Sequence, residues 1–245
     1  MIVDALVPVK AATAGKTRLA QLLPAGDRAS LIRAMLRDVV TALQVTELLR
    51  SVAVLSPDPE MLTLAGQLGA LPLGEPPGTT GLNEAVAAGI ATLVAGGADG
   101  VLFVQGDVPE ITALDVKSML SGLAVSAPVT GEAARSIRLV RAVPSADGGT
   151  SAMLLIPPDV IAPGFGLHSF GRHQGAARAA RASFERCDLP RLARDIDRPE
   201  DLERFLRLPT QSCTATELHR IQADLQESKL VAPFPPTQDP PSRRR

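Results

Sequence analysis

The sequence predicts an α/β fold in which a mostly parallel sheet lies between two layers of helices. Short, continuously apolar runs such as 100–105 alternate along the chain with segments such as 81–95, whose apolar residues recur at helical spacing. Runs without polar alternation are typical of parallel strands, because both faces of such strands are buried. The 245 residues, 45% of them hydrophobic, suffice for one domain of this kind with some appended sequence.

The predicted elements follow in chain order. Strands are predicted at 2–8, 51–55, 70–73, 100–105, 137–143, 150–156 and 183–187. Helices are predicted at 27–44, 56–67, 81–95, 112–123, 169–180 and from 198 onward. We expect one domain at 1–208 and a C-terminal extension at 209–245. The extension would comprise a polar helix at 214–227 and a disordered tail, rich in Pro and Arg, from 233.

The composition argues against several classes of partner. The chain has no Trp, no Tyr and 6 Phe, so it lacks the aromatic side chains on which single-stranded nucleic acids stack. A net charge of -1 offers no basic surface for a polyanion. Cys187 and Cys213 stand apart, which argues against a disulfide or zinc framework. Since no signal pattern or membrane-spanning run is apparent, we expect a cytoplasmic monomer or homodimer without membrane or nucleic-acid partners.

A carboxylate follows the most apolar of the predicted strands. Asp107 lies in Gly106-Asp107-Val108-Pro109, directly after 100–105. Open parallel sheets bind ligands beyond the carboxyl ends of their strands, where a carboxylate is placed to hold a divalent metal that bridges phosphate oxygens. An ordinary turn residue before Pro would give the same pattern, so both interpretations are open.

Asp195 and Asp197 form a second acidic pair. In an extended segment, side chains at this spacing point to the same side, so both could join Asp107 in an oxygen-rich site for a hard cation. Alternatively, Asp197 caps the helix that begins near Pro199. The two roles are compatible, because each carboxylate oxygen could serve one of them.

A cationic loop follows the first predicted strand. Lys10, Lys16 and Arg18 stand there among small residues, which suits a loop that holds a triphosphate by charge. Gly15-Lys16-Thr17 is similar to the end of a P-loop, but that pattern requires Gly where Lys10 stands, so the loop is not a P-loop. A solvated basic loop is the alternative interpretation.

Glycines and hydroxyl groups cluster in two later segments, 148–151 and 165–173. Glycines let backbone N–H groups approach a phosphate, and Ser169 stands where a helix is predicted to begin, which is a natural anion site. Arg172 and His173 could add donors from the first turn of that helix. Turn glycines with Ser169 as a plain N-cap would explain the same residues.

Two further patterns carry weaker signals. Asn83, in Gly81-Leu82-Asn83, could contact a base edge with its paired donor and acceptor, although an ordinary first-turn helix residue explains it as well. A hydrolase built from Ser169, His173 and Asp107 is disfavoured, because no Gly-x-Ser-x-Gly pattern surrounds any Ser.

Taken in order, these segments resemble the guanylyltransferases of coenzyme F-420 (deazaflavin) biosynthesis, which join GMP from GTP to a small phosphorylated three-carbon acid. The resemblance extends over nearly all of 1–208. The matching segments are Val7-Pro8-Val9-Lys10, Lys16-Thr17-Arg18-Leu19-Ala20, Gly81-Leu82-Asn83, Asp107-Val108-Pro109, Gly149-Thr150, the run from Phe165-Gly166 to Arg172-His173, and Asp195-Ile196-Asp197-Arg198-Pro199-Glu200-Asp201. Each motif is weak alone, and their shared order is more specific.

The resemblance implies a three-layer, Rossmann-like nucleotidyltransferase fold with GTP as co-substrate and Mg²⁺ as cofactor. Its implied catalytic residues are Lys16 and Asp107, and its implied metal ligands are Asp107, Asp195 and Asp197. The nucleotide-binding residues would be Lys10, Lys16, Arg18, Gly81 and Asn83. The acid pocket would comprise Thr150, Gly166 and Ser169, with Arg172 and His173 beside them. The acid would be phosphoenolpyruvate, which we favour slightly, 2-phospho-L-lactate or 3-phospho-D-glycerate, and a deazaflavin-modifying enzyme could take the product.

The chain departs from the family pattern at three places. Gln105-Gly106 stands where the family usually has Pro-Ala, and Ser151 stands where it favours Asn after Gly-Thr. Leu167-His168 replaces Pro-Gly in the usual Phe-Gly-Pro-Gly-Ser-Phe. The last two changes border the expected acid pocket and leave the identity of the acid open.

Two alternatives to this function remain. A related nucleotidyltransferase could use another acceptor, such as a sugar phosphate or a molybdopterin-type cofactor. Those enzymes usually carry a glycine-rich loop after the first strand, whereas this chain has only Gly15 there. A non-catalytic nucleotide-binding protein is the second alternative, and the presence of all three carboxylates argues against it.

Overall fold

The computed structural model describes residues 1–12, 15–123 and 137–230, with side chains as far as 226. The strands in these ranges are β1 (Val3–Pro8), β2 (Val52–Ser56), β3 (Leu71–Gly74), β4 (Gly100–Val104), β5 (Leu139–Pro144), β6 (Thr150–Ile156) and β7 (Ser183–Arg186). The helices are α1 (Ala25–Gln44), α2 (Pro59–Gln67), α3 (Leu82–Ala95), α4 (Ala113–Met119), α5 (Ser169–Ala179), α6 (Pro199–Leu206) and α7 (Cys213–Leu230), with a short 3-10 helix at Thr17–Leu19. Each predicted strand and helix is present with somewhat different ends. The predicted disordered tail lies outside the described residues.

The strands form one sheet in the order β3-β2-β1-β4-β6-β5-β7. The first four strands of this order run parallel to one another. β6 runs antiparallel to both of its neighbours, because the short turn at 145–149 folds it back along β5. β7 pairs in parallel with β5. The sheet is therefore mostly parallel, as the sequence predicted.

Helices cover both faces of the sheet and give the predicted three layers. Along β4, Leu102 and Val104 pack toward α1, α2, α4, α6 and α7, whereas Val101 and Phe103 pack toward α3 and α5. This alternation follows from the period of two along a strand. All four side chains are almost completely buried. None of the helices within the described ranges is long and apolar enough to cross a membrane.

The helix of the C-terminal extension packs onto this core. Ala215, Leu218 and Ile221 of α7 are buried in the cluster that α1 also joins. The Asp38 carboxylate of α1 accepts hydrogen bonds from the first two backbone N–H groups of α7, each with an N···O distance of 2.8 Å. A carboxylate in that position satisfies donors that have no partner within the helix and interacts favourably with the helix dipole. The sequence predicted the helix but not its contact with α1.

Candidate active site

A cleft of about 570 Å³ opens at the carboxyl ends of β1, β2, β3 and β4. Loops after all four parallel strands line it, together with the start of α3 and the segment before α6. Residues predicted from the sequence are among its lining: Lys10, Lys16, Arg18, Gly81, Asp107 and Asp197. The cleft therefore lies at the edge where an open α/β sheet is expected to bind its ligand.

Lys16 and Asp107 form a close ion pair in this cleft. The Lys16 Nζ donates to Asp107 Oδ2 at 2.5 Å and lies 3.7 Å from Asp197 Oδ1. Burial by itself would lower the pKa of the Lys16 ammonium, whose side chain is 8% exposed. The charge and hydrogen bond of Asp107, followed by the charges of Asp197 and Asp195, outweigh burial and raise this pKa above its usual value. Lys16 is therefore a fixed positive charge among carboxylates.

Two local features hold Lys16 in this position. Its backbone is left-handed, with φ 55° and ψ 40°, a conformation that costs free energy for a residue with a Cβ atom. Gly15 packs so closely on α1 that a Cβ there would lie 2.5 Å from Cδ1 of Ile32. The loop turns sharply at these two residues, and the turn directs the ammonium group toward the end of β4.

The second acidic pair is docked beside the end of β4 by a backbone hydrogen bond. The Ile196 N–H donates to the Asp107 carbonyl oxygen at 3.1 Å, and the Ile196 side chain is buried in the core. Asp195 and Asp197, on either side of it, consequently lie near Asp107. Asp197 Oδ2 accepts a hydrogen bond from Arg18 Nη1 at 2.6 Å. The structure thus brings together the cationic loop and both acidic segments.

Asp197 does not cap α6, so that alternative interpretation is wrong. The N-cap of this helix is Arg198. Asp201, in the first turn, accepts from the backbone N–H of Arg198 at 2.8 Å and from that of Asp197 at 3.1 Å. Because Asp201 supplies the capping acceptor, the Asp197 carboxylate is left to interact with Arg18 and Lys16.

Asp195 is a strongly perturbed carboxyl group. Burial, reinforced by the negative charge of Asp107 and partly offset by Lys16, raises the pKa of Asp195 to about 6. Perturbation of this kind beside a cleft is typical of functional sites, because a ligand or ion can relieve it. The acidic side of the cleft therefore carries more negative charge than its one buried ammonium group compensates.

The predicted metal site can be judged by its donors. Among the residues that the structure describes, no group of three His, Cys, Asp or Glu side chains is arranged so that it could hold a metal ion. Asp107 Oδ1, however, is buried without a hydrogen-bond partner. Mg²⁺ commonly uses one or two protein carboxylates and takes its other ligands from substrate phosphates and water. The donors present therefore fit a Mg²⁺ ion that arrives with a nucleotide, rather than a preformed cage of three carboxylates.

Three residues predicted for the acid pocket form a buried network. Ser169 Oγ donates to Thr150 Oγ1 at 3.1 Å, and this oxygen lies 3.0 Å from His173 Nδ1. The Nε2 atom of His173 accepts from the Gly164 N–H at 3.1 Å. Burial, helped by the charge of Arg172, lowers the pKa of His173 to about 4, so the ring is neutral near pH 7. Because Nε2 accepts, Nδ1 carries the proton and donates to Thr150.

The loop that precedes α5 is held by Asn83 and Phe165. The Phe165 N–H donates to Asn83 Oδ1 at 2.6 Å, and Asn83 Nδ2 donates to the Phe165 carbonyl at 3.2 Å. The Phe165 ring also stacks on Phe103 of β4 with centroids 3.9 Å apart. Both ends of the Asn83 amide are used inside the protein in this conformation. Each end of the amide keeps a second hydrogen-bonding position, so these bonds do not test the predicted contact of Asn83 with a base, which stays a prediction.

Arg172 fixes the same loop from the other side. Its guanidinium donates to the carbonyl oxygens of Gly164 and Leu167. Gly166 lies between these anchors at φ 123°, a value that favours glycine. The predicted acid-pocket positions thus surround one loop. Gln105 connects them with the cleft, since its Nε2 donates to the Thr150 carbonyl at 3.0 Å.

Gly106, one of the departures from the family pattern, has a structural reason. A Cβ at this position would lie 2.6 Å from Cγ2 of Val9 and 3.2 Å from the Pro8 carbonyl oxygen. Val9 therefore packs so closely on Gly106 that a Cβ at this position would require the Val9 side chain or the backbone to shift. Sequence reasoning did not single out Gln105 or Glu75, which also line the cleft. The departure at 105–106 was the one available signal for Gln105.

Comparisons with known proteins show which family the chain resembles. A family described as "Guanylyl transferase CofC like" matches residues 3–230. A phosphoenolpyruvate guanylyltransferase from Sphaerobacter thermophilus is 38% identical over 203 residues, covering 83% of this chain and 92% of that protein. A 3-phospho-D-glycerate guanylyltransferase from Phenylobacterium zucineum is 34% identical over 224 residues, covering 90% of this chain and 97% of that protein.

A solved structure carries the same fold. It comes from Desulfovibrio desulfuricans, is described as a nucleotide-diphospho-sugar transferase, and matches with a TM-score of 0.67 at 18% identity. The match covers 93% of this chain and 98% of that one. The nucleotidyltransferase fold expected from the resemblance is thereby confirmed. Because the family match runs from β1 to α7 and includes every segment of the cleft, the chain belongs to the family of CofC-like guanylyl transferases.

Proposed function

We propose that this protein transfers GMP from GTP to a phosphorylated three-carbon acid, releases diphosphate, and acts in coenzyme F-420 biosynthesis. The two relatives described above are named for phosphoenolpyruvate and 3-phospho-D-glycerate, which supports this class of acceptor. We favour phosphoenolpyruvate, since the relative named for it is the more similar of the two. 2-Phospho-L-lactate is the third candidate.

The observation that carries the proposal is the buried Lys16 ammonium beside Asp107 and Asp197 in the cleft. The volume of about 570 Å³ lies in the usual range for pockets that bind small molecules. Lys10 and Arg18 add positive charge on the same side. A triphosphate needs such cations, and the carboxylates opposite them suit the divalent ion that accompanies a nucleotide.

The proposed reaction needs no protein base. A phosphate oxygen of the acid, already ionised near neutral pH, attacks the α-phosphorus of GTP in line. The new oxygen–phosphorus bond forms while the bond to the leaving diphosphate breaks. The protein contributes positioning and charge neutralisation. Lys16 stabilises the departing diphosphate, because its charge is held in place and shielded from water.

Mg²⁺ is part of this proposal, with Asp107 as its first ligand and Asp195 and Asp197 as the other candidates. The bound ion supplies Lewis-acid stabilisation of the phosphate charge. The buried Asp107 Oδ1 without a donor supports this assignment. The charge of Asp195, which burial and Asp107 disfavour, would gain a cationic neighbour.

We propose that the acid binds at the loop around Gly166. Arg172 gives this loop a positive charge, and the hydrogen bond from Gln105 to the Thr150 carbonyl connects the loop with the cleft. Thr150, Ser169 and His173 would hold the loop in shape from the protein interior, since all three are buried. Their effect on the acid would then be one of positioning.

The direct test is an assay of diphosphate release. The purified protein is incubated with GTP, Mg²⁺ and each of the three acids, with omission of the acid as the blank. We expect release with at least one acid, and the fastest release with phosphoenolpyruvate. Sugar 1-phosphates in a parallel series test the alternative acceptor class. Absence of release with all three acids would contradict the proposal.

Ser169→Ala is expected to raise the KM for the acid about fivefold to tenfold and to leave the KM for GTP nearly unchanged. The substitution removes the hydrogen bond to Thr150 Oγ1 and loosens the network under the acid loop, a loss of about 1 kcal/mol. Steady-state kinetics with each substrate varied in turn measure both constants. Ser118→Ala, on the exposed side of α4, is the control. A change confined to the KM for GTP would mean that the acid binds elsewhere.

A further inference from the structure

The cleft has two chemically different ends. One end carries Lys10, Lys16 and Arg18 from the segment that follows β1, together with Asp107, which follows β4. Glu75 lies at the opposite end, after β3, which is the outermost of the four parallel strands. With about 4.8 Å between neighbouring strands, β3 and β4 are roughly 14 Å apart. An extended nucleoside triphosphate therefore fits along this edge with its phosphates at β1 and β4 and its base near β3.

Glu75 is held in place by its backbone, and its carboxylate has no partner among the residues that the structure describes. Its N–H donates to the carbonyl oxygen of Ser56 at the end of β2. The following turn is fixed by Thr80, whose N–H and hydroxyl both donate to Glu84 at 2.7 and 2.9 Å. The described part of the chain provides no hydrogen bond or ion pair to the Glu75 side chain, whereas Asp107 and Asp197 are paired with cations. A carboxylate with this freedom can accept hydrogen bonds from a ligand.

The surroundings of Glu75 suit the flat face of a base. Pro57, Gly81 and Leu82 line the cleft on this side, and Leu82 exposes 37% of its surface. Gly81 adopts φ 84°, and a Cβ at this position would meet no atom within 4 Å, so the space above it is open. Apolar surface beside a single acceptor group is the usual composition of a small-molecule pocket.

We infer that Glu75 selects the guanine base by accepting hydrogen bonds from its N1–H and its exocyclic amine, an inference that rests on the proposed function. A carboxylate accepts hydrogen bonds and donates none. Guanine presents two adjacent donors on one edge, which a carboxylate can accept together. Adenine and cytosine present a ring acceptor at the corresponding position, and the carboxylate would repel it. Glu75 thereby takes the role that the sequence analysis gave to Asn83.

Glu75→Gln tests the inference through base selectivity. Three nucleotides are compared as substrates, and their binding without acid is measured by calorimetry. They are GTP, ITP, which lacks the exocyclic amine, and XTP, which carries an oxygen in place of that amine. We expect Glu75→Gln to raise the KM for GTP about 10- to 100-fold and to change kcat far less. The substitution removes a hydrogen bond between a charged group and the base, and it leaves the contacts with the phosphates in place. The preference of the wild-type protein for GTP over ITP should disappear, and use of XTP should increase, because a Gln amide can donate to the xanthine oxygen.

The control variant is Glu60→Gln, whose side chain is 77% exposed on α2 outside the cleft. It should keep the wild-type preference for GTP over ITP. Suppose that the wild-type protein prefers GTP over ATP. If Glu75→Gln then keeps the wild-type ratio of kcat/KM for GTP to kcat/KM for ITP, the inference is overturned and the proposed function stays intact. A wild-type protein that binds ATP as well as GTP would overturn both.

Discussion

Asp107→Asn is expected to lower kcat by about 10³-fold and to leave the melting temperature nearly unchanged. The substitution keeps the shape of the side chain but removes the charge that pairs with Lys16 and the oxygen best placed to bind Mg²⁺. Loss of one fixed charge that acts on a phosphoryl transition state costs about this much. Diphosphate release under saturating GTP and acid measures the effect.

The stability of Asp107→Asn should change little because two effects oppose each other. The variant loses the ion pair with Lys16, but it also relieves the repulsion from Asp107 that adds to burial in raising the pKa of Asp195. Asp188→Asn changes an exposed carboxylate that pairs with Arg186, and this matched control should keep full activity. Near-normal turnover in Asp107→Asn would remove this residue from the mechanism. A large loss of stability would mean that the ion pair is chiefly structural.

Lys16→Met is expected to lower kcat/KM for GTP by about 10²- to 10³-fold. The ammonium group is the positive charge that lies deepest beside Asp107, and methionine fills a similar volume without it. The carboxylates of Asp107, Asp195 and Asp197 would then repel the triphosphate, while Arg18 would still pair with Asp197. Steady-state kinetics with varied GTP measure the loss.

Lys16→Arg distinguishes charge from geometry at this position. It keeps the charge but places a wider, planar group in a site where the lysine side chain is 8% exposed, so we expect partial recovery at most. Lys117→Met, on the exposed side of α4, serves as the control. If Lys16→Met retained more than about one tenth of the wild-type kcat/KM, Lys16 would be a structural partner of Asp107 and not a contributor to phosphoryl transfer.

The sequence was a good guide to elements whose pattern is local. The run in β4 is buried on both faces and has few alternatives, and Asp107 necessarily follows it at the ligand-binding edge of the sheet. The cationic loop was also identified from local composition, because three positive charges stand among small residues directly after β1, a pattern that a solvated basic loop shares. The contact of this loop with Asp197 was not predicted, because nothing in the local sequence indicates it.

Long-range partners explain what sequence reasoning missed. The two hydrogen bonds between the Asn83 amide and the Phe165 backbone were not predicted, because they depend on where Phe165 lies in space. Asp197 stands next to the start of α6, but Asp201 accepts the N–H groups there and Asp197 pairs with Arg18 instead. Glu75 follows a short, partly exposed strand, so no apolar pattern marks it. Each of these assignments depends on tertiary packing.

The hydrogen bond from Ile196 to Asp107 also has a consequence for the order in which the protein is made. Residues 16, 107 and 197 leave the ribosome at well-separated times, and the acidic pair comes last. A nascent chain that has completed β1 to β4 therefore has the cationic loop and Asp107 but lacks the segment that closes the site. Since a ligand that binds only the folded state stabilises that state, we expect GTP to give its full stabilisation once the segment that carries Asp197 has been synthesised and docked.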